Sequence, residues 1–286
     1  MPIDVAKLKN WPFEPFEQRY TARDTMLYAL GLGLGQDPLD REQLRFVYED
    51  GLQPLPTLAI TLTYPPLLAA YAAAGVDPTR VLHGEQQFQL HGPLSAEAEL
   101  EGRTRVLGLV DKGPGRGLLV YNRTEVRDLK RGRPVATLTS SSFLLDAGGA
   151  GGDAIAPPIA LPTLPPHAPD QVCDLPTLPQ AALIYRLSGD FNPLHVLPGL
   201  ARAAGHARPI LHGRCSYGVA GHAIVRAVCG YDAARLTGMA ARFTAPVYPG
   251  ETLRTEMWTQ ADRVQFRTRV LERDTVVLDR GLATLA

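Results

Sequence analysis

The sequence predicts an α+β protein made of two tandem antiparallel sheets, each wrapping a central helix. Three observations predict it. Runs bounded by Gly, Pro and charged turns, at the lengths of long hairpin strands, fill 85–145 and again 236–285. Helix-forming segments precede each of these stretches, so the order helix then antiparallel meander occurs twice. Between the halves, Asp146–Asp170 is rich in Gly, Ala and Pro with no hydrophobic period, as a surface crossover linker should be. The chain therefore divides into an N-terminal lobe (1–145), a linker (146–170) and a C-terminal lobe (171–286).

In order along the chain, residues 1–19 read as an irregular arm anchored by Trp11, Phe13 and Phe16. Tyr20–Gly31 reads as a helix, with Thr21 as its cap and Tyr20, Leu27 and Leu30 apolar. Gly31-Leu-Gly-Leu-Gly35 is a helix-end turn; a dinucleotide loop would follow a strand and carry Gly-x-Gly-x-x-Gly. Leu44–Glu49 is expected as a strand, and Leu55–Ala74 as a second helical region interrupted at Pro65-Pro66. Strands are expected at 97–109, 117–128 and 134–145. After the linker come a helix ending near Leu187, a tight turn, and a helix over 214–228. Ala220, Ala223, Ile224, Ala227 and Val228 share one face of that helix. Gly218 and Gly221 cost it about 1 kcal/mol each, so it needs enclosure by a sheet that approaches its backbone closely. Four strands close the chain, at 236–246, 251–259, 262–272 and 274–285.

The halves repeat. Tyr28-Ala-Leu-Gly corresponds to Tyr185-Arg-Leu-Ser, Pro56-Thr-Leu-Ala-Ile60 to Pro209-Ile-Leu-His-Gly213, and Leu90-His-Gly-Pro-Leu94 to Phe243-Thr-Ala-Pro-Val247. They differ where chemistry is expected. Asn192-Pro-Leu-His195 has Asp37-Pro-Leu-Asp40 as its counterpart, and His212-Gly213 has Ala59-Ile60. One active site per chain follows, in the C-terminal lobe.

That site centres on Tyr185-Arg-Leu-Ser-Gly-Asp-Phe-Asn-Pro-Leu-His195, which brings a carboxylate, an amide and an imidazole within six residues. Gly189 and Pro193 bend the backbone between them. Gly-Asp-x-Asn-Pro alone would be an Asx turn closing a helix. With His195 five residues after Asp190, one turn can aim both side chains at one water, an acid/base pair suited to neutral pH. Gly213 opens the following helix, and its amide is an unpaired donor at the positive end of the helix dipole, able to stabilise an oxyanion; Gly as a simple cap is the alternative.

The 185–195 segment followed by Pro209-Ile-Leu-His-Gly213 resembles the signature of the type 2, (R)-specific enoyl-CoA hydratases, within the MaoC-like dehydratase family of hot-dog proteins. Ala241-Arg-Phe-Thr-Ala-Pro-Val-Tyr-Pro-Gly-Glu-Thr-Leu253, Val81-Leu-His-Gly-Glu-Gln86 and Val110-Asp-Lys-Gly113 extend the resemblance to the two-lobed, eukaryotic-type members. It implies a double hot-dog fold with a non-catalytic N-terminal lobe that binds the acyl-CoA. It also implies reversible hydration of a trans-2-enoyl-CoA to the (3R)-3-hydroxyacyl-CoA in fatty acid metabolism, without metal or cofactor. Asp190 and His195 would activate the water, Asn192 would fix the turn, and Gly213 would meet the thioester oxygen. Substrate contacts would come from His83, Gly84, Lys112, Phe191, Pro193, Leu194 and Phe243 together with those four. Lys112 would serve as a point charge for the CoA phosphates.

Composition narrows the class further. The 286 residues carry 29 basic and 29 acidic side chains, so no global field favours nucleic acid or an anionic membrane. Cys173, Cys215 and Cys229 have neither metal-ligand spacing nor a disulfide framework and are expected as reduced thiols. No apolar run approaches a membrane span, and Leu282-Ala-Thr-Leu-Ala286 is not a Ser-Lys-Leu address, so a cytoplasmic homodimer is expected. Three rivals stand: a hot-dog thioesterase, a hydratase or dehydratase of a sterol side chain or branched acid, and a catalytically inert acyl-binding module.

Overall fold

A computed structural model of the chain describes residues 3–63, 65, 67–77, 80–153 and 155–286. The N-terminal half comprises α1 (Val5–Lys9), β1 (Phe16–Tyr20), α2 (Ala22–Gly31), α3 (Arg41–Leu44), a 3₁₀ segment (Pro56–Thr61), α4 (Leu67–Ala73), β2 (Val81–Leu90), β3 (Ala98–Asp111), β4 (Leu118–Asp128) and β5 (Arg133–Leu144). The C-terminal half comprises β6 (Gln171–Pro176), α5 (Ala181–Tyr185), α6 (Pro198–Ala203), α7 (Gly213–Ala227), β7 (Leu236–Phe243), β8 (Thr252–Gln260), β9 (Arg263–Val270) and β10 (Thr275–Leu285).

The double hot-dog forms with its two sheets fused edge to edge. Among the described residues the ten strands make one antiparallel sheet in the order β1-β3-β4-β5-β2-β7-β10-β9-β8-β6. Read outward from the centre, both halves follow the same order, so the internal repeat is legible in the topology itself. The repeated strands β2 and β7 meet at the seam, with Glu85 opposite Arg242 and Gln89 opposite Gly238. Buried Glu85 accepts from Arg242 Nη2 at 2.7 Å and from the Tyr121 hydroxyl at 3.1 Å. Burial, and then that carboxylate, push the Tyr121 phenol up. The seam thus carries a charge whose hydrogen bonds are made on both sides, the condition under which a buried carboxylate is tolerated.

Both halves supply the core around α7. Arg214 through Val225 are all buried, so this helix is enclosed on every side and not on one face only. The enclosure differs from the expected one. A Cβ on Gly218 would meet Leu32 Cδ2 at 2.7 Å and the Tyr28 hydroxyl at 2.8 Å, and one on Gly221 would collide with the Thr57 methyl. The two glycines therefore accommodate α2 and the 3₁₀ segment of the other half, not a sheet. The N-terminal segment that matches Pro209–Gly213, Pro56–Thr61, is a 3₁₀ helix with Ile60 buried, and the short helix α4 follows it where α7 follows in the other half. Pro66, part of the predicted interruption before α4, lies outside the described residues.

Two expectations for the N-terminal half need correction. The arm is structured: the Asp4 carboxylate caps α1 by accepting the Lys7 N–H at 2.9 Å, Leu8 is wholly buried, and Phe16 is 44% exposed on the edge strand β1. Leu44–Glu49 is not a strand, because Asp40 caps α3 and turns of the Phe46 N–H onto Gln43 follow at 3.1 Å. The strand β6 and helix α6 add elements that local pattern did not single out. The linker has no helix or strand among its described residues, yet it is pinned: Asp111 accepts the N–H groups of Gly149 and Gly151 (2.9 and 2.8 Å), and Ile159 is 3% exposed against Tyr121 and Ala240. Thr21 and Asp24 cap α2 as a pair, and Gly33 and Gly35 turn the chain after it. The three cysteines are buried and unpaired.

His222 on α7 is 1% exposed, and neither ring nitrogen has a hydrogen-bond partner among the described residues. Burial, assisted by Arg226, lowers its pKa to about 3. An unfolded His binds its proton near pH 6.5, so below that pH the unfolded state takes up a proton that the fold refuses. Stability is then lost at about 1.4 kcal/mol per pH unit as pH falls from about 6.5 toward the folded value. His222→Leu should leave stability at pH 7.5 little changed and recover about 2 kcal/mol at pH 5 in denaturant titrations; equal acid sensitivity in the two proteins would refute this.

Candidate active site

The Asp190–His195 turn begins where α5 runs into a 3₁₀ turn, Arg186–Ser188, and stops. Gly189 ends it at φ +107°, a conformation that costs a residue with a side chain far more. Asn192 caps the next turn, Pro193–His195, by accepting the Leu194 N–H at 3.0 Å, and Pro193 occupies the first position, where a missing N–H costs nothing. Asp190 accepts the Asn192 N–H at 3.3 Å. The side chains expected to hold water are thus also those that shape the backbone carrying them.

This turn is bound to the start of α7 by a reciprocal pair of hydrogen bonds. His195 Nδ1 donates to the Ile210 carbonyl at 2.9 Å, and His212 Nε2 donates to the Asp190 carbonyl at 3.1 Å. The two rings stack with centroids 3.7 Å apart. Because a carbonyl only accepts, each bond fixes a tautomer, and His195 presents the lone pair of Nε2. Burial lowers the His195 pKa, against the opposing pull of the Ile210 hydrogen bond and the Asp190 charge. Burial, then the neighbouring His195, lowers that of His212 to about 4. Both rings are neutral at pH 7. Donor atoms of Asp190, His195 and His212 lie within 4.8 Å of one another, close enough to share one small polar species.

Around Gly213 lie further residues expected to contact substrate. Gly213 is the first residue of α7, so its N–H has no carbonyl one turn back to bond. A Cβ there would stand 3.3 Å from the Phe243 ring, and that ring lies 4.4 Å from His83. His83 has its pKa lowered to about 3, first by burial and then by the Arg214 charge, and its Nε2 lacks a partner. Gly84 sits at a register shift in β2, where a Cβ would meet Ser141 Oγ at 2.7 Å. Phe191 is 59% exposed beneath Arg186, Pro193 is exposed, and Leu194 is half-buried. Lys112 stands apart: it is exposed at the start of the β3–β4 hairpin, three strands from β2, a span of roughly 15 Å.

Two residues escaped sequence reasoning. His212 was quoted in its motif, yet only the glycine after it was assigned a role. Arg214, buried at 8% exposure, lines both a cleft of about 210 Å³ beside Asp190, Tyr185 and Ser188 and a second cavity in the N-terminal half. In the N-terminal half Asp40 holds the place of His195 and is occupied in capping, accepting the Glu42 and Gln43 N–H groups at 3.1 and 3.2 Å.

Fold and geometry define a two-lobed hot-dog protein with an Asp–Asn–His turn facing a helix N-terminus. Residues 162–280 match the MaoC like domain, and residues 18–146 match the MFE-2 hydratase 2 N-terminal domain. The 3-hydroxyacyl-thioester dehydratase Y of Mycobacterium tuberculosis is 43% identical over 94% of this chain and 93% of its own. The peroxisomal enoyl-CoA hydratase 2 of Arabidopsis thaliana is 38% identical over 92% of this chain and 90% of its own. The crystal structure of a MaoC-like dehydratase from Phytophthora capsici superposes with a TM-score of 0.87 at 33% identity, covering 99% of this chain and 98% of that one. The chain belongs to the MaoC-like dehydratase family, in its two-lobed hydratase 2 form.

The depressed His212 pKa has a direct readout. Ring nitrogen shifts of labelled protein should show His212 neutral, with Nε2 protonated, from pH 8 down to pH 5. Titration of that ring near 6.5 would contradict the geometry.

Proposed function

We propose that the protein is an (R)-specific 2-enoyl-CoA hydratase that adds water reversibly to a trans-2-enoyl-CoA. The observation that carries the proposal is the reciprocal hydrogen bonding of His195 and His212, which fixes both tautomers where His195, His212 and the Asp190 carboxylate gather within 4.8 Å of one another. Water held between them loses a proton to His195 Nε2 as its oxygen bonds to Cβ. The π electrons move to the thioester oxygen, which becomes enolate-like, and a proton returned to Cα from the same side completes the addition. The Gly213 N–H, at the positive end of α7, stabilises the developing oxyanion; such a donor contributes about 3–4 kcal/mol in comparable sites. Asn192 keeps the turn in shape, and His83 and Phe243 line the opposite wall. Every step uses side chains and backbone of this chain, so the proposal includes no metal or redox cofactor.

The names of the two relatives support this reading in both directions, one describing hydration of an enoyl-CoA and the other dehydration of a 3-hydroxyacyl thioester. The N-terminal half supplies the remaining acyl and CoA contacts, with Lys112 reaching CoA phosphates. A homodimer in the cytoplasm completes the proposal. No helix among the described residues is long and apolar enough to cross a membrane, and the Arabidopsis relative is named as peroxisomal, so fractionation and sedimentation decide location and assembly.

The assay is loss of enoyl absorbance on mixing with trans-2-enoyl-CoAs of four to ten carbons. Asp190→Asn and His195→Gln should each lower turnover by about 100- to 10,000-fold with the fold intact, the range of general acid/base groups. Retention of more than about a tenth of the wild-type rate by either variant would count against these roles. In the pH profile the acid limb should lie below the ordinary His value, because burial favours neutral His195 and activity is lost only as pH falls through that lowered pKa. An acid limb above 6.5 would assign the base elsewhere.

A further inference from the structure

Arg214 follows Gly213 directly in the first turn of α7 and is 8% exposed. On one side it lines the cleft beside Asp190, together with Thr61, Tyr185 and Ser188. On the other it lines a cavity in the N-terminal half, walled by Ile60, Leu62, Leu67 and Leu138 and by the polar Gln86 and Asn122. Among the described residues it is the one that lines both. Each space has room for about one water molecule.

The Arg214 charge reaches both halves of the molecule. At His83, in β2, burial and then Arg214 lower the pKa to about 3; at Tyr185, where burial raises the pKa, the same charge opposes the rise. A guanidinium held between two small spaces obstructs an alkyl chain twice over. Its bulk stands in the way, and a methylene pressed against it displaces the polar surroundings of the charge and offers no hydrogen bond in return.

The direction of an acyl chain follows from the reacting atoms, once the acyl-CoA reading above is taken as its basis. With the thioester oxygen at the Gly213 N–H and Cβ beside Asp190 and His195, the carbons beyond Cβ enter the cleft that Arg214 lines. We propose that Arg214 sets acyl length as a stop at the end of this cleft, so that the enzyme acts on short-chain enoyl-CoAs, of which crotonyl-CoA is the simplest. An open apolar channel would gain about fourfold in affinity with each further methylene buried. Behind a stop, further methylenes gain nothing.

The test is a chain-length series on the full chain: hydration of trans-2-butenoyl-, hexenoyl-, octenoyl- and decenoyl-CoA, with calorimetric binding of butanoyl- and decanoyl-CoA beside it. Wild type should show its highest kcat/KM on the butenoyl or hexenoyl substrate, about tenfold or more above decenoyl-CoA. Decanoyl-CoA should bind no more than about tenfold more tightly than butanoyl-CoA. Arg214→Ala should move the preferred length up by about two carbons or more, through a lower KM for the longer substrates, the mark of changed binding and not of changed chemistry. If Arg214→Ala does not fold, Arg214→Leu, shorter and uncharged, takes its place. Decenoyl-CoA preferred by wild type, or an order of lengths unchanged in the folded variant, would overturn the inference. Should no enoyl-CoA be hydrated, the proposed reaction falls while the binding ratio still judges the stop: decanoyl-CoA bound more than about tenfold more tightly than butanoyl-CoA would mean that the chain passes Arg214.

Discussion

The site depends on a pair of hydrogen bonds exchanged between two imidazoles and each other's backbone. His195 holds the carbonyl of Ile210, and His212 holds the carbonyl of Asp190. Neither segment has regular structure long enough to hold its own shape. The catalytic turn is two short 3₁₀ pieces joined through Gly189 and Asn192, and the residues before α7 are extended. Each bond alone is worth about 1 kcal/mol, but together with the stacked rings they close a loop between two segments. The same bonds decide the chemistry, since they set both tautomers, while burial keeps both rings neutral.

The clamp exists because the two halves are asymmetric within a symmetric frame. Equal strand orders, the β2–β7 seam and the packing of Tyr28 against Tyr185 at 5.9 Å all follow from duplication. In the C-terminal half the long helix α7 is present, and its N-terminus points at the catalytic turn. In the N-terminal half the 3₁₀ segment Pro56–Thr61 and the short helix α4 stand in its place, and Asp40 is used as a cap. Gly218 and Gly221 let that shortened half press against α7.

Much of this was legible in the sequence. The long hairpin strands could be read because their lengths and turn residues are local properties. Asp190, Asn192 and His195 could be placed in a turn, and Gly213 at a helix start, because they fall in short motifs with known turn and helix-end chemistry. Residues whose meaning is tertiary could not. His212 acts through a carbonyl 22 positions away, and nothing beside it in the chain marks that partner. Leu44–Glu49 was expected as a strand, yet Asp40 caps a helical turn that runs into it. The edge strand β6 is six residues ending in Pro176, too short and too polar to declare itself. Gly218 and Gly221 were rightly read as demanding close approach; which element approaches is decided by the other half of the molecule.

The central claim is geometric: Asp190 and His195 lie on one side of the substrate, so oxygen and proton must arrive from that side. Hydration of a trans-2-enoyl-CoA in deuterium oxide, followed by NMR of the isolated 3-hydroxyacyl product, measures this directly. The account predicts a (3R) product with deuterium at Cα on the same face as the new hydroxyl. A (3S) product, or deuterium delivered to the opposite face, would contradict it, because a group on the far wall would then have to supply the proton.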